Sequence, residues 1–181
     1  MMTSGRGEIF ELDEAISVLT ATPGSVGALL GDLQDSWLEF QEEQEAWNPR
    51  TILVHYIHNE LTNWMPRIRV TLSDSEVRQF PPFQQLPDLA DYEAYDLQQL
   101  LARFADLRQQ NLVEMQNLKL GAADFSRQAE HPVLGTVNLR QLLASWVVHD
   151  LNHLHQIAKT LAKRYREEVG PWRPNLPIVD L

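Results

Sequence analysis

The segment Ser145-Trp-Val-Val-His149-Asp-Leu-Asn-His153-Leu-His155-Gln-Ile157 joins a helical apolar pattern to a cluster of histidines. Steps of three and four residues connect a series of six side chains, namely Leu142, Trp146, His149, His153, Ile157 and Leu161. On an α-helix this spacing places all of them along one face. The segment therefore predicts a long amphipathic helix that packs against others and carries two histidines on its buried side.

The spacing of His149 and His153 suits a metal site. Four residues on an α-helix separate two side chains by only about 40° around the axis and roughly 6 Å along it. Two imidazoles placed in this way can reach one ion, as the paired histidines of the H-E-x-x-H motif do. A buried imidazole that is simply hydrogen-bonded within the core is the alternative, because its ring nitrogens need partners in either case.

The rest of the chain predicts three further long helical arms. The expected arms are residues 9–34, broken at Thr22-Pro23; a helix from Pro49, capped by Asn48 and kinked near Pro66; about Tyr92 to Leu118; and Asn138 to about Glu168. Long connections, Ser73–Asp91 and Ala122–Val137, follow the second and third arms, and no strand pattern is visible. We therefore expect an all-α four-helix bundle that forms a single domain over residues 1–181.

Composition narrows the classes of partner and chemistry. The net charge of −10 and the pI near 5.0 disfavour nucleic acid and anionic membranes as partners. No apolar run is long enough to span a bilayer, and no signal peptide is visible at the start. The chain has no cysteine, which excludes disulfides, thiolate catalysis by the protein and cysteine metal ligands. Together these features predict a cytoplasmic location.

A third ligand would have to come from the second helix, where His55 and His58 are the candidates. His131 precedes a proline in a connection and is expected to fix a turn, and His155 should face away from His153. The helical wheel places His58 nearer the apolar side and His55 further round. Spacing thus favours His58 slightly, and both remain open.

Three segments resemble the DinB-like (DinB/YfiT-related) family of metal-binding proteins. They are the second helix, Trp47-Asn-Pro-Arg-Thr-Ile-Leu-Val-His55-Tyr-Ile-His-Asn-Glu60-Leu-Thr-Asn-Trp64; residues 131–157; and the tail Tyr165-Arg-Glu-Glu-Val-Gly-Pro-Trp172. The resemblance implies an up-down-down-up bundle in which three histidines hold a divalent ion. Imidazole suits zinc, nickel, iron and copper, and zinc or nickel is expected. The family's first ligand lies five residues before a glutamate, which maps onto His55 and Glu60. His149 and His153 map onto the other two ligands.

The resemblance also implies possible activities. Relatives are S-transferases and isomerases that use low-molecular-weight thiols such as bacillithiol or mycothiol. A thiol and a small-molecule substrate are therefore the expected ligands, and the protein is expected to form a homodimer. Glu60 and Asp150 are candidates for acid–base catalysis or for orienting a ligand imidazole, and the resemblance favours Glu60 as the catalytic residue. A metal-dependent hydrolase and a non-catalytic metal-stabilised binding protein are the alternatives. The five tryptophans could line a pocket near the ion, although at helical spacing tryptophan more often belongs to the core.

Overall fold

The computed structural model describes residues 10–181 of the chain. Its helices and strands, in chain order, are α1 (Leu12–Leu30), α2 (Asp35–Leu38), α3 (Pro49–Thr62), α4 (Trp64–Leu72), α5 (Leu97–Asn117), β1 (Gln128–His131), β2 (Gly135–Asn138) and α6 (Leu139–Lys163). Short 3-10 segments lie at Leu89–Tyr92, Asp124–Ser126, Gly170–Asn175 and Pro177–Val179. None of the described helices has both the length and the apolar character needed to cross a membrane.

Contacts between the long helices give the directions of the chain. The pair of α3 and α4 runs parallel to α5. Arg50, at the start of α3, binds the Tyr95 carbonyl just before α5, and Arg69, near the end of α4, binds Glu114 near the end of α5 at 2.5 Å. By contrast, α6 runs antiparallel to α3 and α4, since Trp146 stacks on Trp64 whereas the later His149 meets the earlier His55. Antiparallel pairing of α1 with α5 completes an up-down-down-up four-helix bundle, as predicted.

The predicted break in the first helical arm is wrong, because α1 is continuous through Pro23. A proline inside a helix leaves the carbonyl four residues earlier without its N–H donor. That carbonyl belongs to Leu19, and it accepts a hydrogen bond of 2.7 Å from Arg108 on α5 instead. Thr22 is not a cap: it is buried, and its hydroxyl donates to the Val18 carbonyl. A tertiary contact thus compensates for the missing backbone hydrogen bond.

The second arm is interrupted close to the predicted position. It ends as α3 at Thr62 and resumes as α4 at Trp64, and Pro66 is the residue that cannot donate to the Thr62 carbonyl. Asn48 caps α3 as expected, since its side chain accepts from the Thr51 N–H at 2.7 Å.

The expectation that the chain has no strands is also wrong. β1 and β2 pair in an antiparallel hairpin, with His131 opposite Gly135. The imidazole of His131 accepts hydrogen bonds from the N–H groups of Val133 and Leu134, so it fixes the turn as expected, and Gly135 takes the positive φ of 75°. Each strand has only four residues, and the one buried residue of β1 is the small Ala129. Such a short pattern cannot be recognised from hydrophobic periodicity.

The core consists of two apolar clusters separated by a buried polar layer. One cluster gathers residues around the Trp64–Trp146 pair, and the other gathers residues around Tyr56 and Phe104. Between them lie buried polar groups from all four long helical arms: Thr22, His55, Asn59, Glu60, Arg108, Asp150 and His153. Because buried polar groups are costly unless they are paired, this layer is the natural place to look for a site.

Candidate metal centre

Three imidazoles converge within the polar layer. His55 comes from α3, and His149 and His153 come from successive turns of α6. One ring nitrogen from each residue lies within 4.8 Å of the other two. The Nε2 atoms of His55 and His149 are 2.9 Å apart. Within residues 10–181, this is the group of histidine and acidic side chains whose geometry could hold an ion.

The hydrogen bonds of His55 and His153 determine which ring nitrogen carries the proton. Nδ1 of His55 lies 2.6 Å from the carbonyl oxygen of Gln85, and Nδ1 of His153 lies 2.7 Å from Oε1 of Gln156. Both partners are acceptors, so Nδ1 must carry the proton in each ring. The lone pair of each Nε2 is then not used by these acceptors. In His55 it faces the amide nitrogen of Asn59 at 3.1 Å, a contact that an ion would replace. Fixing the tautomer through the second nitrogen is how proteins commonly orient metal-binding histidines.

His149 has a carboxylate in the corresponding position. Its Nδ1 is buried without a hydrogen-bond partner among the described residues, and Oδ1 of Asp150 lies 3.7 Å from it. That distance is too long for a direct hydrogen bond. Burial acts to raise the pKa of Asp150, but the neighbouring His149 and the charge and hydrogen bonds of Arg108 outweigh it and hold that pKa below its usual value. Asp150 therefore stays ionised and directs negative charge at the outer nitrogen of His149.

Burial also keeps the imidazoles of His55 and His153 neutral. Desolvation lowers the pKa of His55 to about 3, despite its bond to the Gln85 carbonyl, and the neighbouring histidines lower it further. Desolvation and the proximity of His149 lower the pKa of His153 to about 4. Both rings are thus unprotonated at neutral pH, which is the form that binds metal.

The donor set fits a divalent ion. Two nitrogens that each lie about 2.0–2.1 Å from a zinc ion are separated by about 2.9 Å at a right angle and by about 3.3 Å at a tetrahedral angle. The separation of 2.9 Å between Nε2 of His55 and Nε2 of His149 falls at the lower end of this interval. Three neutral imidazoles with an open side are typical of catalytic rather than structural sites.

Glu60, the predicted acid–base residue, lies in a buried ion-pair network and not among the three rings. Arg108 binds Oε1 of Glu60 at 2.7 Å and Oδ2 of Asp150 at 2.6 Å, and the side chains of all three are at most 1% exposed. Asn111 donates to the other carboxylate oxygen of Glu60 at 2.9 Å. Arg108 thus links Glu60 to the carboxylate beside His149.

The remaining histidines have other contacts. His58 lies outside the three-ring group: its Nε2 is 3.0 Å from the Gln84 carbonyl, and its ring stacks on Phe83 at 5.6 Å. His155 is exposed on the far side of α6, as expected. His55 and His58 thus contact two consecutive carbonyls of the connection after α4, and of the two only His55 directs its Nε2 towards α6.

A cleft of about 610 Å³ opens beside the three imidazoles. Its floor is a stripe of α6, and its walls come from α3, from the segment before α3 and from the connection after α4. Trp47 lines the cleft and packs against His55 and His153, with ring centroids at 4.8 and 6.1 Å. Trp64 and Trp146 instead belong to the core, and Trp172 is exposed.

Sequence reasoning missed Arg108, Gln85 and Gln156. Arg108 had a visible indication, since it lies in the apolar stripe of α5 formed by Leu100, Phe104 and Leu112, where a charge needs a buried partner. Gln85 acts through its backbone carbonyl, which no side-chain pattern can indicate.

Comparison with known proteins identifies the family and agrees with the observed fold. The family model of the DinB superfamily matches residues 19–157. No curated protein gives a match. A solved structure described as "YfiT from Bacillus subtilis is a probable metal-dependent hydrolase with an unusual four-helix bundle topology" is similar, with a TM-score of 0.72, 20% identity, and coverage of 89% of this chain and 92% of that chain. At that identity the likeness shows the shared fold. From the match over residues 19–157, the chain belongs to the DinB superfamily.

Proposed function

We propose that this protein binds one divalent metal ion through His55, His149 and His153 and uses it to transfer a low-molecular-weight thiol to a small electrophilic substrate. The observation that carries the proposal is the arrangement of the three rings. An acceptor lies 2.6 to 3.7 Å from each Nδ1, one ring nitrogen of each residue lies within 4.8 Å of the other two, and all three residues line the cleft. Zinc and nickel are the favoured ions, because both bind imidazole well. When bound, such an ion would lower the pKa of a thiol or water that it coordinates and so supply a nucleophile at neutral pH.

The surrounding residues favour a thiol as that nucleophile. Glu42 is the one carboxylate among the described residues that line the cleft, and it binds Lys163 at 2.6 Å. Glu60 is engaged by Arg108 and Asn111, so we propose that it positions Arg108 rather than exchanging protons with substrate. A thiol is deprotonated on a metal without help from a separate base, and its pKa starts far below that of water.

We propose that Asn63 accepts a hydrogen bond from the bound thiol or from the electrophilic substrate. It lines the cleft, its amide nitrogen donates to Asn59 at 2.7 Å, and its own Oδ1 is buried without a partner among the described residues. Asn59 in turn donates to the His55 carbonyl at 2.8 Å, which ties this pair to a proposed metal ligand. An unpaired buried acceptor costs free energy, which a donor group on a bound molecule would recover.

Metal-dependent hydrolysis is the second candidate, because the similar Bacillus subtilis bundle is described as a probable metal-dependent hydrolase. The same ion, held by His55, His149 and His153, and the same cleft would then serve a water molecule, with Asp150 beside the outer nitrogen of His149.

An assay with and without thiol separates the two candidates. Zinc-loaded or nickel-loaded protein would be incubated with N-acetylcysteine or bacillithiol and the electrophile monochlorobimane, and separately with p-nitrophenyl acetate alone. We expect metal-dependent conjugation that is lost in His149→Ala and retained in His155→Ala, which changes an exposed histidine on the same helix. Metal-dependent release of acid without thiol would favour the hydrolase instead. Bound metal with neither reaction would favour a non-catalytic binding protein.

A further inference from the structure

We propose that the cleft selects small molecules that carry a carboxylate group, and that Lys159 is the residue that binds this group. The inference deepens the proposed function and rests on it in one respect, since the reacting end of the molecule is placed at the three histidines. Lys159 lines the same cleft as His55, His149 and His153.

The helical geometry of α6 places Lys159 at a useful distance from the ion site. Asn152, Gln156 and Lys159 follow one another at steps of four and three residues and all line the cleft. On an α-helix they form one stripe beside the two ligands. Lys159 lies six residues beyond His153, which is about 9 Å along the helix axis. A small molecule can therefore meet the three imidazoles at one end and the ammonium group at the other.

The charges around the cleft leave Lys159 available to a ligand. Glu42 forms its ion pair with Lys163, whose side chain is only 7% exposed. Among the described residues no carboxylate lies within ion-pairing distance of Lys159, which is itself half-buried. A half-buried ammonium without a counter-charge gains from an anionic partner, because the surrounding protein weakens its solvation.

The rest of the lining fits a carboxylate on a small polar molecule better than a phosphate. Amide side chains of Asn63, Asn152 and Gln156 can bind polar groups between the two ends, and Trp47 and Phe83 provide flat apolar walls. One lysine supplies a point charge, whereas phosphate sites typically combine several cationic groups with a helix N-terminus. In a protein with a net charge of −10, Lys159 together with a bound divalent ion would make this cleft locally cationic, since Glu42 is paired with Lys163.

The test uses hydroxamates, which bind metal through one end whatever the other end carries. The monohydroxamates of succinic, glutaric and adipic acid would be titrated into zinc-loaded protein, each beside its methyl ester, with affinity measured by calorimetry. We expect at least one acid to bind about fivefold more tightly than its ester, the upper range for a partly solvated ion pair. Lys159→Gln should abolish this preference and Lys159→Arg should retain it.

Arg140→Gln is the matched control, because it removes one positive charge from an exposed position at the opposite end of α6. It should leave the preference unchanged. Equal binding of acids and esters, or a preference that survives in Lys159→Gln, would overturn the inference while leaving the metal site intact. Failure of both ligand types on protein that retains zinc would also overturn it. Protein that does not retain zinc would mean that the proposed function has failed, and the inference with it.

Discussion

Residue spacing predicts two of the three converging histidines but not the third. The four-residue step between His149 and His153 predicts their common direction, and the two rings do lie side by side, with centroids 4.4 Å apart. The step gives no such guidance for His55 and His58, because α3 is buried on almost every side and has no single apolar face. The helical wheel consequently favoured His58, whereas the structure turns His55 towards α6.

Asp150→Asn tests the link between Arg108 and His149. The change leaves Arg108 with only Glu60 as a buried counter-charge and removes the negative charge beside Nδ1 of His149. We expect the free energy of unfolding to fall by about 3 kcal/mol and the metal affinity to fall by about 10- to 100-fold. Denaturant unfolding and competitive metal titration measure the two effects. Asp106→Asn, an exposed change on α5, should alter neither.

The low pKa values of His55 and His153 predict how stability depends on pH in the metal-free protein. An unfolded histidine binds its proton near pH 6.5, whereas the folded rings stay neutral until about pH 3 and 4. Between these limits the unfolded chain binds more protons, so stability is complete above pH 6.5 and falls as the pH decreases. The slope should approach about 1.4 kcal/mol per pH unit for each group. Urea unfolding between pH 7 and 5 would measure it, and a flatter profile is expected for His55→Gln/His153→Gln; an unchanged profile would contradict the assignment.

Among the elements, the long helices were predictable and the connections were not. Asn48-Pro49 and Asn138 mark helix starts, and each asparagine caps its helix as the sequence indicated. Continuity of α1 through Pro23 depends on Arg108, which comes from a helix 85 positions further along the chain, so no local pattern could reveal it. The connection after α4 is likewise defined by tertiary contacts, since His55 and His58 hold its backbone carbonyls at Gln85 and Gln84.

His58→Ala tests whether this connection supports the site. The change removes the bond to the Gln84 carbonyl and the stacking on Phe83, and it leaves the three converging rings in place. We expect faster hydrogen exchange over residues 80–87, with the metal affinity reduced by no more than about tenfold. Loss of metal as complete as that in His55→Ala would mean that His58 is itself a ligand. His155→Ala serves as the control.

For the whole molecule, the position of the polar layer between two apolar clusters explains why a metal site is compatible with this fold. The apolar clusters stabilise the bundle on both sides, and the buried charges of Glu60, Arg108 and Asp150 neutralise one another in part. The four amphipathic arms in the sequence were enough to predict the bundle. The residues of the polar layer could not be predicted in the same way, because they depend on which turns of different helices meet. The homodimer and the cytoplasmic location remain predictions from the resemblance and the composition.

An ion shared by α3 and α6 should stabilise the whole fold. A ligand that binds only the folded state adds about 2.7 kcal/mol at a free concentration one hundred times its Kd. We therefore expect the Tm of metal-free protein to rise by several degrees on addition of zinc or nickel, and to rise much less in His55→Ala. Thermal unfolding followed by circular dichroism measures the shift. An equal rise in both proteins would place the ion elsewhere.

Metal titration of the untagged protein tests directly whether His55, His149 and His153 hold one ion. Zinc and nickel would be titrated against a competing chelator into the wild type and into the alanine variants of His55, His58, His149 and His153. We expect one ion per chain, an affinity that falls at least a hundredfold in the variants of His55, His149 and His153, and near-normal binding in His58→Ala. Binding that survives in His55→Ala but disappears in His58→Ala would contradict this set of ligands.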